Sequence, residues 1–247
     1  MTAACGLGPG ALIHPVYVKP FKEHDLTVGA GWAWKSWERE DRIQARKDVQ
    51  SLVAAQRPQC PNLKEPVVIS GRAVQVAARF YLANSHDLIV IGTPFRGLHS
   101  IHIAQRFQEA IRRKGKDLPL WIVLSPKPIR RAVALTDGSD TAEKALGFLN
   151  RVISDLHLTV TLISLKRKNG VNHDTEALIL ERGFAILKEK GVNADGFASE
   201  TLPRSRLGTE ISNADLLVVP FSSGPCVQLF EQFGRTPPSL LFYLDGA

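Results

Sequence analysis

The sequence predicts an α/β protein made of two tandem, open, parallel-sheet domains of the Rossmann-like kind. The segments Asp87-Leu-Ile-Val-Ile-Gly-Thr and Asp215-Leu-Leu-Val-Val-Pro-Phe are nearly the same and begin 128 residues apart (215 minus 87). Strand-like and helix-like runs alternate around both segments, and parallel neighbours need such crossover connections. With 247 residues and 44% hydrophobic content, the chain has room for two domains of about 120 residues. We therefore divide it into domains 1–128 and 129–247.

The second domain, residues 129–247, reads as a complete five-stranded unit. Arg131 to Thr136 forms a buried strand and Gly138 a sharp turn, and Asp140 or Thr141 caps a helix that runs to about residue 156. The other strands are predicted at 158–165, 192–198, 216–220 and 239–243, and the other helices at 174–190, 207–213 and 227–233. This order predicts an open parallel sheet with helices on both faces.

The first domain, residues 1–128, matches that pattern only from its second strand onward. Strands are predicted at 11–18, 66–70, 88–91 and 118–124, and helices at 37–56, 73–84 and 100–113. An opening strand and helix equivalent to 131–156 are missing. That strand is central in such a sheet, and each buried backbone group without a partner costs about 1 to 3 kcal/mol. We therefore expect the gap to close, either with strand 11–18 directly beside 88–91 in a four-stranded sheet, or with an added strand from residues 24–34 or another subunit.

The residues now carry a resemblance to a known family. Ala132-Val-Ala-Leu-Thr-Asp-Gly-Ser-Asp-Thr-Ala-Glu-Lys-Ala-Leu resembles the opening strand and helix of universal stress proteins, and the segment from Asp87 resembles their fourth strand. The resemblance implies the adenine nucleotide alpha hydrolase-like fold, with five parallel strands in the order 3-2-1-4-5, and a tandem form similar to the family's dimer fused into one chain. From the 128-residue repeat we predict two domains with a boundary near 125–129. We expect their separate sheets to pack as a pseudo-twofold pair through the last strands, 118–124 and 239–243.

Many members of that family bind ATP through the pattern G-x2-G-x9-G-[ST] directly after the fourth strand. Aligning Gly92 with the first glycine places Phe95 at the second and the pair Gln105-Arg106 at the last position. Glycines let backbone N–H groups approach phosphates closely, and a side chain fills that space. The sequence therefore predicts an eroded phosphate cradle in the first copy.

The second copy departs from the pattern in its own way. Pro220 takes the first glycine position and Ser223 the second, and proline also removes an N–H donor. Ser222 and Ser223 still offer hydroxyl and amide donors. The family's cofactor, ATP or another adenine nucleotide, is therefore expected to bind only weakly there.

Asp137 matches the family position whose carboxylate approaches the adenine or ribose of the nucleotide. An Asp before a helix also forms turns by accepting a hydrogen bond from its own backbone, and the residues leave both interpretations open. The candidate ligand-binding residues are Asp137, Gly138 and Ser139, with Gly92, Ser222 and Ser223.

The net charge of +7 is shared unevenly. Residues 1–128 hold 18 basic and 10 acidic residues, a net +8, and residues 129–247 hold 13 and 14, a net −1. The densest basic run, from Arg112 to Lys116, falls where a helix should end, and cations there offset the helix macrodipole. No nucleic-acid module accompanies the run, so we do not expect nucleic acid as a partner.

The remaining residue types favour a cytoplasmic protein without a metal. Cys5, Cys60 and Cys226 are odd in number and widely spaced, which fits neither a disulfide framework nor a metal cluster. The seven histidines show no metal-ligand spacing. No apolar run reaches the roughly 18 residues of a membrane span, so no membrane association is expected.

These observations favour a non-enzymatic regulatory or stress-response protein with eroded ATP motifs. The alternative is an interaction scaffold without nucleotide binding, whose basic first half and Trp32, Trp34 and Trp37 hold an unknown protein partner or a second copy. An ATP-hydrolysing or adenylating enzyme is a distant third hypothesis, because no general base or metal ligand can be named.

Overall fold

The computed structural model describes residues 7, 10–19, 31–92, 98–124, 128–153, 158–165, 173–189, 191–198, 204–221 and 239–246. The helices are α1 (Gly31–Gln56), α2 (Ala73–Ala83), α3 (Leu98–Ile111), α4 (Asp140–Ile153), α5 (His173–Lys188) and α6 (Arg204–Asn213), and a 3-10 turn (Arg112–Lys114) follows α3. The strands are β1 (Val16–Lys19), β2 (Val67–Ser70), β3 (Ile89–Gly92), β4 (Leu118–Val123), β5 (Arg131–Thr136), β6 (Thr159–Ser164), β7 (Ala194–Ala198), β8 (Leu216–Phe221) and β9 (Ser239–Leu244). The predicted helix at 227–233 lies outside the described residues.

The chain divides into two compact units, Met1–Ser85 and His86–Ala247. In the first unit, β1 and β2 form a parallel pair in register from Val16 with Val67 to Lys19 with Ser70. A small core packs beside them, made of Val53, Cys60 and Leu63 with Ile13 and Val49.

The second unit is built on a seven-stranded sheet with the order β3-β4-β9-β8-β5-β6-β7. Its five strands β7-β6-β5-β8-β9 are parallel and have the predicted order 3-2-1-4-5. All six residues of β8 and of β9 are buried, because neighbouring strands and helices cover them on every side. The predicted α/β fold of the second repeat is thus confirmed.

The two repeats meet where β4 and β9 pair in antiparallel fashion, from Leu118 with Leu244 to Val123 with Ser239. In the first repeat Ile89 pairs with Leu120, and in the second the equivalent Leu217 pairs with Leu240. Leu120 and Leu240 are therefore counterparts, as are Trp121 and Leu241. Trp121 pairs with Leu241 itself, so a pseudo-twofold axis passes between these two residues.

The predicted pairing of the last strands is confirmed, but the expectation of two separate sheets is wrong. Backbone hydrogen bonds between β4 and β9 join both repeats in a single seven-stranded sheet, and this pairing satisfies two strand edges that would otherwise stay open. The same bonds tie β4 to the second repeat, so the compact units separate at Ser85 and not near 125–129. A repeat boundary after residue 128 stays a prediction.

The expected four-stranded sheet of the first repeat is also wrong. Among the described strands, β1 is paired with β2 alone, and β3 is an edge strand of the other sheet. Residues 31–34 begin α1 rather than a strand, and residues 24–30 lie outside the described part. The predicted cost applies to a buried strand, but Ile89 to Ile91 are only half-buried. Water can therefore reach this strand and lower the cost of an open edge. Pairing with another subunit stays a prediction.

The cysteines require a further correction. Cys60 is 3% exposed and is disulfide-bonded, whereas its spacing predicted no disulfide. The chain's other two cysteines, Cys5 and Cys226, lie outside the described residues. In the described part of the chain, no helix combines the length and the apolar character needed to cross a membrane.

Candidate functional site

The loop between β5 and α4 holds three of the predicted site residues. Asp137 Oδ1 accepts hydrogen bonds from Ser139 N at 3.0 Å and from Ser139 Oγ at 2.5 Å. Ser139 Oγ in turn accepts from Ala142 N at 3.2 Å, which makes Ser139 the N-cap of α4. The turn-forming role of Asp137 is therefore confirmed, and its contact with a ligand stays a prediction. The cap lies one residue before Asp140, the first of the two predicted positions.

Gly138 is required by the geometry of this loop. Its φ is +71°, a left-handed conformation that glycine adopts without strain. A Cβ at this position would also lie 2.7 Å from Ile179 Cγ1 on α5. The glycine thus lets α5 pack directly onto the loop, whatever its relation to a ligand.

Buried polar side chains that the sequence did not single out lie near this loop. Thr136 and Ser164 are register partners in β5 and β6, so their side chains face the same side of the sheet. Glu176 lies on α5 one turn before Ile179, the residue that packs on Gly138. Ser164 is fully buried and Glu176 is 7% exposed, and within the described part Ser164 Oγ and Glu176 Oε1 have no hydrogen-bond partner. Neither residue has a sequence motif that would have marked it.

The carboxyl-terminal ends of β5, β8 and β9 lie together along one side of the sheet, which we call the ligand edge. Asp215, just before β8, accepts from the backbone N–H groups of Arg130 and Arg131 at 2.9 and 3.0 Å, and this fixes the register of β8 against β5. Continuing the pairing of Ala134 with Val218 brings Asp137 level with Phe221. Open α/β sheets bind ligands at such an edge. Ser222 and Ser223 follow Phe221 and lie outside the described residues.

A polar cluster joins the repeats at the same edge. Asp117, just before β4, accepts from Lys144 Nζ at 3.0 Å and from Tyr243 Oη at 3.2 Å. Nearby, Thr141 Oγ1 donates to Asp245 Oδ2 at 2.8 Å. The hydrogen bond and charge of Asp117 raise the pKa of Lys144 above its usual value, with smaller contributions from Asp245 and Asp140. These contacts hold the amino-terminal end of α4 against the first repeat.

Gly92 lies at the opposite edge. It pairs with Val123, which is level with Ser239 at the start of β9, so the structure does not bring Gly92 together with Asp137. It is exposed, and a Cβ there would meet no atom within 4 Å in the described part of the protein.

Gln105 and Arg106 stand where the family pattern has its last glycine pair. Both lie well inside α3, which already begins at Leu98. Only residues 93–97 separate β3 from α3. The last position of the pattern therefore falls on a helix in the first repeat, and neither residue there is a glycine.

The histidines and tryptophans add little to the site. His102 Nδ1 lies 3.2 Å from Gln105 Oε1 on the same helix. Among the residues that the structure describes, no three His, Cys, Asp or Glu side chains group as metal ligands would. The side chains of Trp32, Trp34 and Trp37 lie outside the described part.

No protein-family model matches the chain, and no curated protein matches it in sequence. Solved structures do. A universal stress protein from Archaeoglobus fulgidus DSM 4304 is 13% identical, with a TM-score of 0.60 over 98% of this chain and 89% of that one. A protein of Pseudomonas aeruginosa UCBPP-PA14, named a candidate universal stress protein, is 13% identical, with a TM-score of 0.51 over 94% and 93%. A universal stress protein in complex with cAMP is 19% identical, with a TM-score of 0.33 over 47% of this chain and 97% of that one. The chain thus has the fold of the tandem universal stress proteins.

Proposed function

We propose that this chain is a non-enzymatic, universal-stress-like regulatory or stress-response protein of the cytoplasm, with an ATP site that has lost most of its phosphate cradle. Support for the first part comes from the shared fold over 98% of the chain. It also comes from the Thr136 to Asp140 loop, whose residues match the family's opening element.

Pro220 is the observation that carries the loss of the cradle. It occupies the position of the first glycine and is buried inside β8, paired with Tyr243 of β9. A proline offers no N–H to a phosphate, and its ring fills the space that a glycine leaves open. A ligand at the ligand edge must therefore find other donors.

Calorimetric titration with ATP tests this proposal. We expect no binding tighter than about 100 μM, which corresponds to roughly −5.5 kcal/mol. If ATP binds in the micromolar range, the proposal that Pro220 removes the phosphate cradle is wrong. Asp137→Asn and Asp137→Ala would then locate the site, because the Asn variant keeps the turn acceptor but removes the charge. Native mass spectrometry of the purified protein would report any co-purifying nucleotide.

One observation opposes the cytoplasmic part of the proposal. Cys60 is disulfide-bonded, and stable disulfides are rare in the reducing cytosol. Peptide mapping of protein from cells whose free thiols are blocked before lysis distinguishes a reducing from an oxidising compartment. A free Cys60 thiol supports the cytoplasm, and an oxidised Cys60 in most molecules argues for an oxidising compartment.

The scaffold hypothesis also has an observation in its favour. Among the described residues, four of the five exposed large apolar side chains lie in the first unit, namely Leu12, Tyr17, Ile43 and Leu52. Exposed apolar groups favour contact with another protein surface, and a second copy of this chain is the simplest partner. Native mass spectrometry should then show a dimer that Ile43→Lys/Leu52→Lys dissociates. Leu178→Lys, at the exposed apolar residue of the second unit, serves as the control.

A further inference from the structure

The basic segment, residues Arg112 to Lys116, belongs to the first repeat but lies at the ligand edge of the second. Gln108 of α3, one turn before Arg112, donates from Nε2 to the carbonyl of Phe221 at 3.3 Å. At the other end of the segment, a Cβ on Gly246 would lie 2.5 Å from the carbonyl oxygen of Lys116. These two contacts place the segment beyond the ends of β8 and β9.

Sheet register gives the spacing of the groups at this edge. Phe221 and Leu118 both pair with Leu244, so β4 begins level with the end of β8. Three strand steps separate Asp137, at the end of β5, from Leu118, which is about 14 Å at roughly 4.8 Å per step. An extended ligand would therefore contact the β5 loop at one end and the basic segment at the other.

Three of the carboxylates at this edge have ion-pair or hydrogen-bond partners, whereas two cations have no carboxylate partner. Asp117 is paired with Lys144, Asp245 accepts from Thr141, and Asp137 accepts from Ser139. Arg112 and Lys114 are exposed, and in the described part of the protein neither has a carboxylate partner. Glu109, one turn before Arg112, is exposed and pairs with neither. Two exposed cations without a carboxylate partner in the described part thus lie at the edge where Pro220 removes a backbone donor.

We propose that Arg112 and Lys114 of the first repeat hold the phosphates of a phosphate-bearing ligand at the ligand edge of the second repeat. Side-chain cations replace the backbone N–H cradle, and Asp137 to Ser139 face the other end of the ligand. This inference rests on the proposed function, because it assigns the phosphate donors of the same site. Binding through exposed cations weakens as salt is added.

The test is a titration at low salt with three probes: ATP, inorganic triphosphate and adenosine. We expect ATP and triphosphate to bind the wild-type chain, and Arg112→Gln/Lys114→Gln to weaken both by about tenfold or more. Adenosine binding should not change. Arg112→Lys/Lys114→Arg keeps both charges and should retain most of the affinity. Lys64→Gln/Arg79→Gln removes two exposed cations of the first unit and should bind like the wild type.

Each outcome separates this inference from the proposed function. If triphosphate binding depends on Arg112 and Lys114 and adenosine does not bind, the anion site is supported. The nucleotide-binding part of the proposed function is then excluded. ATP binding that is lost in Asp137→Ala but unchanged in Arg112→Gln/Lys114→Gln overturns the inference and leaves a nucleotide site in the second repeat. Absence of both ATP and triphosphate binding to the wild type at low salt also overturns it.

Discussion

β3 and β8 are the fourth strands of the two repeats, with nearly the same sequence and very different surroundings. β8 lies between β5 and β9 and is buried along its whole length, whereas β3 is a half-buried edge strand. Asp215 before β8 accepts two backbone hydrogen bonds from the opening strand β5. Its counterpart Asp87 is exposed. The repeated acid is therefore a docking group for an opening strand that the first repeat lacks.

The largest effect expected from this difference concerns the first unit. Deleting residues 1–18 removes nearly all of β1, which among the described strands is the partner of β2. A lone strand is not stable in water, so amide exchange of Val67 to Ser70 should rise to the rate of an unfolded chain. Ile89 to Gly92 pair with β4 and should stay protected.

Hydrogen exchange of the truncated chain reports both segments in one experiment. If Val67 to Ser70 keep their protection, β2 does not depend on β1. If Ile89 to Gly92 lose theirs, the second unit depends on the first.

The second prediction concerns the seam between the repeats. Phe242 of β9 is fully buried and meets Phe221 edge to face, with ring centroids 5.6 Å apart. Phe242→Ala should lower the free energy of unfolding by about 3 to 5 kcal/mol. Tyr17→Ala, at an exposed residue of β1, should lower it by less than about 1 kcal/mol. Denaturant titrations measure both changes. Equal losses of unfolding free energy in the two variants would contradict the greater contribution of the buried seam.

A third prediction addresses the β5 loop. Gly138→Ala forces a left-handed residue and a Cβ against Ile179, so the loss should be about 1 to 3 kcal/mol. Gly147, in α4, has no atom within 4 Å of its Cβ position in the described part of the protein. Gly147→Ala should therefore stabilise the protein by up to about 1 kcal/mol. Thermal unfolding of both variants is the measurement, and a neutral Gly138→Ala would contradict the packing of α5 on this loop.

The smallest effect is expected at the ion pair of Lys144 and Asp117. A raised pKa in the folded state means that the pair stabilises the fold below the usual lysine pKa of about 10.4. That stabilisation is lost as pH rises through the raised value. Lys144→Gln should cost at most about 1 kcal/mol near pH 8, and nothing once the pH exceeds the raised pKa of Lys144.

Lys144→Arg is the matched control, because arginine stays charged across this range. Urea unfolding of the three proteins at both pH values measures the difference. A cost of Lys144→Gln that stays constant with pH would contradict the assignment of Asp117 as the partner.

The positions of β8 and β9 were predictable because both strands are fully buried and read as apolar runs. The sheet order followed from the family resemblance. The loop at Asp137 was predictable as one of two alternatives, since an Asp three residues before a helix satisfies backbone groups by itself. The sequence could not show that Ser139, rather than Asp140, accepts from Ala142 N, because capping depends on where the backbone leaves the helix.

Other features depend on partners distant in sequence. Gln108 and Phe221 are 113 residues apart, and no local pattern marks either as a contact. The continuous sheet depends on backbone hydrogen bonds between β4 and β9. The periodicity of the side chains does not predict which strands form such bonds.

The seam has a consequence for synthesis on the ribosome. β9 begins 121 residues after the start of β4 (239 minus 118), and translation adds about 5 to 20 residues per second. For roughly 6 to 24 s, the nascent chain therefore holds β4 without β9, and the backbone N–H and C=O groups of β4 that pair with β9 have no partner there. A strand with an open edge can pair with the edge strand of another molecule, including another nascent chain. Chaperone binding to the first repeat during this interval would keep that edge free until its own counterpart arrives.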